Sequence, residues 1–425
     1  MKNRITFLML VLGTIQIFAQ DTYLQCGELF DSENGKFLSE RTIVVSGNKI
    51  KSIEKGFLSG TDADTVVDLR SKTVLPGFID MHVHIESESS PTRYLERFTN
   101  NDVDVAFQST VYAKRTLMAG FTAVRDLGGS GVNIALGKAI NKGVVMGPRI
   151  FTAGKAIGTT GGHADPTNGV RKELMHDPGP KEGVVNSPED ARKAVRQRYK
   201  NGADVIKITA TGGVMSVAKN GQNPQFTAEE LKAIVETAND YGMLTAAHAH
   251  GDEGMRRAII AGIKTIEHGT LMEEPTMELM IKYNTYLVPT ISAGKAAAAM
   301  AEIPNFLPAV VAKKAKEIGP ISEKNFKRAY EKGVPIAFGT DAGVSAHGDN
   351  GKEFTFMHEA GMPVVAALLS ATTTPAKLLG MDKELGILKV GYLADIVAVD
   401  QNPVKNVRTL ESVSFVMKDG KVYKQ

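Results

Sequence analysis

The sequence predicts an α/β protein: a (β/α)8 TIM-like barrel with a small composite β-sandwich domain built from both chain ends. Strand-like and helix-like segments alternate through the middle of the chain, whereas both ends carry short strands and turns. A length of 425 residues also exceeds what one hydrophobic core usually organises. The predicted parts are a leader at 1–19, a β-sandwich domain at 20–76 plus 386–425, and a barrel at 77–385.

The composition is that of an ordinary soluble α/β protein, with 43% hydrophobic residues. The formal net charge of +3 gives no reason to expect a nucleic-acid partner. Cys26 is the only cysteine, which excludes an intramolecular disulfide.

The N-terminus has the order of a secretory signal peptide. Lys2 and Arg4 precede an apolar run at 5–18, and Ala19 offers a cleavage point. The run is too short for a confident membrane span, and a buried amphipathic first helix is the alternative. We therefore expect a secreted or periplasmic protein whose mature chain has no membrane span.

The two terminal regions read as strands. Residues 42–45 and 49–53 flank a Ser46-Gly47-Asn48 hairpin signal, and 66–69 and 73–75 continue the pattern. The same pattern of short strands and turns is present at 395–399, 412–417 and 421–423. Such pieces can pair into one β domain.

Eight strand candidates fill the central region, at 78–84, 122–127, 149–153, 204–210, 244–250, 265–269, 285–291 and 335–341. Helical patterns between them include 105–119, 188–201, 228–241 and 253–261, two of which begin with Ser187 and Thr227 as start signals. A barrel of this kind has its active site at the C-terminal ends of its strands. The Gly/Pro-rich stretch 158–183 is long for a connecting loop and is predicted to shape a substrate site there.

The first central strand ends in His82 and His84. Side chains alternate along a strand, so both point to one face and can hold one metal ion. Two partly buried core histidines are the alternative.

Lys207 lies in the fourth strand between Ile206 and Ile208. If the isoleucines face the helices, the lysine points into the barrel, where a buried ammonium must find a carboxylate, lose its proton or be modified. A neutral lysine can add carbon dioxide to become a carbamate that bridges two metals. A structural ion pair is the alternative.

Three further strand ends carry ligand-type residues. His248 and His250 repeat the His-x-His spacing, His268 ends the sixth strand, and Asp341 ends the eighth. Together these segments indicate a metal-dependent hydrolase whose ligands are His82, His84, Lys207, His248, His268 and Asp341.

These motifs resemble the amidohydrolase superfamily. The sequence segments 211–216, 248–255 and 391–395 resemble its imidazolonepropionase-related branch. That branch includes Xaa-Pro dipeptidases, dipeptide carboxypeptidases and ochratoxin-type amidases. The resemblance implies two divalent metal ions, usually Zn²⁺, an N6-carboxylysine at Lys207, and a homo-oligomer, with octamers known in the branch.

The resemblance also implies residue roles. His82, His84 and Asp341 would hold one metal, His248 and His268 the other, with carboxylated Lys207 and a hydroxide between them. Asp341 would pass a proton to the leaving amine. His163 would polarise the substrate carbonyl.

Other residues are candidates for substrate contact. His250 is assigned to a supporting role behind the ligands or to substrate binding. His347 could line the pocket or be a plain loop residue. Arg125, and less so Arg171, could bind a substrate C-terminal carboxylate, although an ion pair with Asp126 or another carboxylate is the alternative for Arg125. Phe226 stands where some related dipeptidases have a tyrosine, which puts the transfer of their substrate contacts in doubt.

The predicted function is hydrolysis of the amide bond of dipeptides or N-acyl amino acids by a secreted, binuclear metal enzyme. Cyclic-amide hydrolysis and general amidase activity are the alternatives within the fold. A non-catalytic barrel is the alternative outside catalysis, and the presence of all the predicted ligands counts against it.

Overall fold

A computed structural model describes residues 20–217 and 221–425, so the predicted signal peptide at 1–19 lies outside the described residues. The strands are β1 (Asp21–Asp31), β2 (Lys36–Ser46), β3 (Lys49–Lys55), β4 (Thr65–Pro76), β5 (Phe78–Val83), β6 (Phe121–Asp126), β7 (Arg149–Thr152), β8 (Val205–Thr209), β9 (Leu244–Ala249), β10 (Thr265–His268), β11 (Tyr286–Val288), β12 (Ile396–Val399), β13 (Phe415–Lys418) and β14 (Lys421–Lys424).

The helices lie mainly between the central strands. They are α1 (Arg93–Thr99), α2 (Asp102–Met118), α3 (Val132–Asn141), α4 (Pro188–Asn201), α5 (Ala228–Asp240), α6 (Asp252–Ala261), α7 (Glu274–Tyr283), α8 (Ile291–Ala301), α9 (Ala309–Lys332), α10 (Lys352–Glu359), α11 (Val364–Ser370) and α12 (Thr373–Leu378). Short 3₁₀ turns occupy Lys172–Leu174 and Val407–Glu411. Within the described residues, none of these helices combines the length and apolar character that a membrane crossing requires.

Strands from both chain ends share one seven-stranded sheet, in the order β14-β13-β12-β4-β1-β2-β3. The junction is the antiparallel pair of β4 with β12, in which Leu75 lies opposite Val397. Leu24, Ile43 and Phe415 are buried together on this sheet. Distant segments thus combine into one β unit because each supplies part of a shared apolar core.

The central strands form two parallel sheets, β5-β6-β7 and β8 to β11. A few backbone hydrogen bonds outside regular ladders link their edges. On one side the amide of Ile157 donates to Lys207 O at 2.8 Å. On the other, residues 335–342 lie between β11 and β5, where the amide of Met81 donates to Phe338 O at 2.9 Å.

The eighth predicted strand therefore differs from the other seven. It forms isolated bridges, such as Leu287 with Ile336, instead of a regular ladder. Its chain direction is set by the two strands beside it, so Asp341 still reaches the same rim as the ends of the other strands.

The predicted helix starts are confirmed by their caps. The Ser187 side chain accepts a hydrogen bond from the amide of Asp190, and Thr227 forms a reciprocal capping box with Glu230. These contacts satisfy amide groups that a helix leaves without internal partners.

Arg149 at the start of β7 connects the parallel sheet to the β unit. Its guanidinium lies 3.0 Å from Asp395 and 2.6 Å from Asp419. The side chains of Arg149 and Asp395 are only 14% and 4% exposed. Removing the arginine would leave a buried carboxylate without its counter-charge.

We predict that Arg149→Met lowers the free energy of unfolding by about 3 kcal/mol, because breaking a buried ion pair from one side leaves an uncompensated charge. Urea unfolding measures this free energy, provided that its dependence on urea concentration (the m-value) is the same in the variant and in wild type. Arg171→Met is the matched control, since the exposed Arg171–Glu173 pair should contribute less than about 1 kcal/mol. Equal losses in the two variants would contradict the assignment.

Candidate active site

A cavity of about 690 Å³ opens at the C-terminal ends of the central strands. Its wall includes all the ligand-type residues that the sequence singles out, together with His163 and His250: His82, His84, His163, Lys207, His248, His250, His268 and Asp341. Residues separated by more than 250 positions in the chain thus meet at one rim, as the strand order predicts.

Asp341 lies at the centre of one group of potential ligands. Its Oδ1 atom is 3.4 Å from His82 Nε2 and 3.3 Å from His84 Nε2. One possible ligand atom from each of His82, His268 and Asp341 lies within 4.8 Å of the others. Ligand atoms so close together from three strands can share one cation.

Hydrogen bonds fix the orientation of these histidines. His82 Nδ1 lies 3.0 Å from Glu267, His84 Nδ1 2.8 Å from Gly128 O, and His268 Nδ1 2.7 Å from Thr290 Oγ1. A carbonyl oxygen can only accept, so His84 Nδ1 carries the proton. In each ring the bond occupies Nδ1 and leaves Nε2 facing the cluster, which is the usual arrangement behind metal-binding imidazoles.

His248 uses the opposite nitrogen. Its Nε2 donates to Gly212 O at 3.0 Å, so Nδ1 is the nitrogen available to a ligand. His248, His250 and His268 form a second group whose potential ligand atoms lie within 4.8 Å of one another. His250, whose Nδ1 bonds Thr270 Oγ1 at 2.9 Å, therefore stands closer to the ligands than the family pattern implied.

The site contains buried polar atoms that lack hydrogen-bond partners among the described residues. They include Asp341 Oδ1 and His163 Nδ1. An unpaired carboxylate oxygen facing two imidazole nitrogens would be costly in a closed protein interior, because its solvation is lost without replacement. The donor set, nitrogen from histidine and oxygen from aspartate, suits a divalent metal such as zinc and fits this position.

Lys207 lies beside the same group, with its Nζ 3.5 Å from His82 Nε2. Ile206 and Ile208 pack in the main hydrophobic core on the other face of β8, as alternation predicts. Burial lowers the pKa of Lys207 to about 8, against the opposing effect of Glu267 and Asp341. The neutral fraction near neutral pH is therefore larger than for an ordinary lysine, although the protonated form still predominates.

Burial favours the neutral state of His82 and His163, whereas at His84 the effect of burial is outweighed by Asp341, which raises the pKa of that imidazole. Desolvation, and then the charge of Lys207, lowers the pKa of His82 to about 4. Desolvation lowers the pKa of His163 to about 3, and its ring stacks on His248 with centroids 4.4 Å apart. Neutral imidazoles retain a lone pair for a metal and an N–H for hydrogen bonding.

The backbone is strained at two of these groups and at Thr290, the hydrogen-bond partner of one of them. His268, Thr290 and Asp341 have φ values of 70°, 50° and 55°. Non-glycine residues rarely adopt this left-handed region, and such strain concentrates at functional sites. At His268 the left-handed turn directs the imidazole towards the cluster although Glu267, its neighbour in the strand, also faces the interior.

The structure contradicts the substrate-binding assignment of Arg125. Its side chain is completely buried below the cavity, and its guanidinium binds Met81 O at 2.6 Å, Thr265 at 2.9 Å and Glu267 at 2.8 Å. Arg125 neutralises a buried carboxylate, which is the ion-pair alternative with Glu267 as the partner.

His347 is also misassigned as a pocket residue. Its Nε2 binds Ser87 O at 3.0 Å, and its ring stacks on Tyr112 with centroids 4.9 Å apart. It is buried outside the cavity lining. Arg171 is exposed and paired with Glu173 at 2.9 Å, so it too lacks a place in the site.

Two functional candidates escaped the sequence prediction. Glu267 binds both Arg125 and His82, and its position directly before His268 was the available signal. Arg93, on α1, lines the cavity. The sequence around Arg93 carries no motif that would distinguish it from a surface arginine.

Comparison with known proteins identifies the family. The "Amidohydrolase family" model matches residues 73–424. Ochratoxinase from Aspergillus niger is 31% identical over 407 residues, covering 91% of this chain and 82% of that protein.

Solved structures agree with this match. A Xaa-Pro dipeptidase with bound methionine in its active site has 51% identity and a TM-score of 0.92, covering 96% of this chain and all of that one. A prolidase complexed with N-methylphosphonate-L-proline has 32% identity and a TM-score of 0.87 with the same coverage. The fold of these relatives implies a TIM barrel with a β-sandwich domain. The chain belongs to the amidohydrolase family and is a hydrolase of amide or peptide bonds.

Proposed function

We propose that this protein is a binuclear metal-dependent amidohydrolase that cleaves the amide bond of dipeptides or N-acyl amino acids. The observation that carries the proposal is the buried Asp341 Oδ1 atom, which lies between two imidazole Nε2 atoms at 3.4 and 3.3 Å and lacks a hydrogen-bond partner of regular geometry among the described residues. In this proposal the two parallel sheets and the segment 335–342 act as one closed barrel that keeps the ligands in register.

The ligands divide into two sets. His82, His84 and Asp341 would hold one divalent ion, and His248 with His268 would hold the other. Nitrogen and oxygen donors of this kind suit Zn²⁺. Carboxylated Lys207 would lie between them, and the lowered lysine pKa supports the neutral amine that carbamate formation requires. When bound, such ions lower the pKa of water and polarise a carbonyl group.

The chain's own groups supply proton transfer and orientation. Asp341 remains ionised, since neighbouring His82 and His84 lower its carboxyl pKa despite the opposing effect of burial. It can therefore accept a proton and deliver it to the departing nitrogen. His163, buried and neutral, lies beside His248 and can donate an N–H to the carbonyl oxygen.

The substrate class draws support from the relatives. One is named as a Xaa-Pro dipeptidase with bound methionine, another was solved with a phosphonate derivative of proline, and a third is named ochratoxinase. A cavity of about 690 Å³ accommodates molecules of dipeptide size. Screening the zinc-loaded protein against a dipeptide library tests the proposal, and no cleavage of any member would overturn it.

We also propose a homo-oligomer. The exposed face of α2 carries Val103, Phe107 and Val111 at intervals of four residues, with 63%, 71% and 48% of each residue exposed. An apolar stripe of this kind is typical of surfaces that another chain covers.

Residues 1–19 are proposed to be a signal peptide that is removed on export to the periplasm or beyond, because basic, apolar and small residues follow one another there. We predict that protein isolated from its native cells begins near Gln20. N-terminal sequencing measures this, and an intact Met1 on the active enzyme would disprove cleavage.

We predict about two divalent ions per chain after zinc loading and desalting, as expected for a two-metal site. A His82→Ala, His84→Ala double variant should retain at most about one, because both imidazoles serve the same ion. Elemental analysis provides the count. His358→Ala is the control, since this exposed histidine bonds only to Met362 O within the described residues, and equal metal content in all three proteins would refute the site.

We predict that Asp341→Asn lowers kcat by roughly 10²- to 10⁴-fold with a much smaller change in KM. The amide can still offer an oxygen to a metal but cannot shuttle a proton. Steady-state kinetics at equal metal content measures the effect. Asp349→Asn, which changes an exposed carboxylate paired with Lys352, should behave as wild type. Turnover of Asp341→Asn within a few-fold of wild type would rule out the proton-transfer role.

A further inference from the structure

Arg93 occupies a position in the cavity wall next to Asp341. It begins α1, in the connection that follows β5 and its histidine pair. Its Nη1 donates to Gly343 O at 3.0 Å, and Gly343 follows Asp341 by two residues. Ser89 Oγ donates to the same carbonyl at 3.2 Å, so this edge of the cavity is held by two side chains. The guanidinium is thereby fixed beside the proposed proton-transfer group.

The charge of Arg93 has no ion-pair partner in the part of the chain that the structure describes. A guanidinium offers five N–H donors, and Gly343 O is the acceptor found for this side chain. Arg125 provides the contrast, since Glu267 neutralises it. A partly buried arginine that faces a cavity and keeps free donors can bind an anion entering that cavity.

The geometry of an amino-acid leaving group connects this arginine to the reaction. Asp341 must lie near the departing nitrogen. In an α-amino acid the carboxylate carbon is two bonds from that nitrogen, through bonds of about 1.46 and 1.52 Å. A group that binds this carboxylate must therefore adjoin Asp341, and Arg93 is placed there through Gly343.

We propose that Arg93 binds the free α-carboxylate of the amino acid that hydrolysis releases, and so makes the enzyme selective for amides with a free C-terminus. This inference rests on the proposed function. In the reaction the C–N bond breaks, the acyl carbon takes the oxygen of water, and the nitrogen gains a proton. The carboxylate stays ionised throughout, and its binding to Arg93 orients the substrate.

The setting of α1 supports a fixed position for Arg93. Tyr94 donates from its hydroxyl to Met215 O at 3.0 Å, and Arg97 donates to Pro166 O at 2.7 Å. Together with the bond from Arg93 to Gly343 O, these contacts connect the helix to three different loops around the cavity. A rigid guanidinium loses less entropy on binding a carboxylate than a mobile one.

Part of the cavity wall is apolar. It includes Val214, Met215, Phe306, Leu307 and Ile318. These side chains can contact the substrate's own apolar groups but offer no charge that competes with Arg93. The wall also carries the charged side chains Arg97, Lys155, Asp165 and Glu182. Arg93 differs from Arg97 and Lys155 in its bond to Gly343 O, which places it beside the proposed leaving-group position.

The test compares L-methionyl-L-proline with L-methionyl-L-prolinamide on wild type, Arg93→Met and Arg93→Lys. Wild type should prefer the free acid by roughly tenfold or more in kcat/KM, as expected for a charged hydrogen bond. Arg93→Met should lose roughly 10- to 100-fold on the acid and no more than about threefold on the amide. Arg93→Lys should recover part of the preference, because it restores charge without the planar fork.

Arg192→Met is the matched control, since it removes an arginine that pairs with Glu189 outside the cavity lining and should not alter the ratio between acid and amide. If Arg93→Met lowers both rates equally, Arg93 only anchors α1 to Gly343 and the inference is wrong. Thermal unfolding of each variant shows whether the fold is retained, and Arg93→Lys provides the measurement if Arg93→Met does not fold.

Calorimetric binding of N-acetyl-L-proline and its amide separates this inference from the proposed function. Selective binding of the acid that disappears in Arg93→Met supports the carboxylate site even if no peptide is cleaved, in which case the proposed function fails alone. Cleavage with an unchanged acid-to-amide ratio in Arg93→Met has the opposite meaning: the hydrolase proposal stands and the carboxylate site is refuted.

Discussion

The metal-ligand geometry depends on the buried carboxylate of Glu267. One oxygen accepts from Arg125 Nη2 at 2.8 Å, and the other lies 3.0 Å from His82 Nδ1. Burial opposes its ionisation, yet Arg125 and then His82 lower the pKa of Glu267 to about 2. The ionised carboxylate fixes the His82 tautomer, so Nε2 faces Asp341 and Lys207. Arg125 is essential to this arrangement because an isolated carboxylate at such depth would be strongly destabilising.

The strained backbone at the rim is held by two further buried carboxylates. Asp80 accepts from the amides of His82 and Thr340 at 3.0 and 3.1 Å, which fixes the segment that leads into left-handed Asp341. Glu353 accepts from the amides of residues 291 and 292 at 2.8 and 2.7 Å, directly after left-handed Thr290. The hydrogen bonds to each carboxylate thus offset the conformational cost of the left-handed residue beside it, which would otherwise relax to a more favourable backbone conformation. Catalytic geometry here is a property of the surrounding hydrogen bonds as much as of the ligands.

Strand alternation explains both the success and the failures of the sequence prediction. It placed Lys207 correctly because β8 is regular and its isoleucines pack outward. It could not foresee that Glu267 and His268 both face the interior, since that requires the φ value of 70° at His268. The sequence pattern also cannot give the depth of a side chain in the interior. It predicts that Arg125 points inside but not that Arg125 lies below the cavity. The segment 335–341 was found from its composition, although its pairing proved irregular because it is bonded at isolated points.

The division between strands and loops indicates how the site can keep its chemistry while substrates change. The proposed metal ligands lie in or directly beside the buried parallel strands, whereas the loops around the cavity are held by side chains that bind backbone carbonyls. Lys314, for example, donates to Gly213 O at 2.7 Å and to Ser216 O at 2.6 Å, as Arg93 does to Gly343 O. A carbonyl acceptor is present whatever residue carries it, so these ties survive substitutions in the loops. Relatives named for different amides can therefore share one scaffold, because the side chains that face the substrate can vary without releasing the loops that hold them.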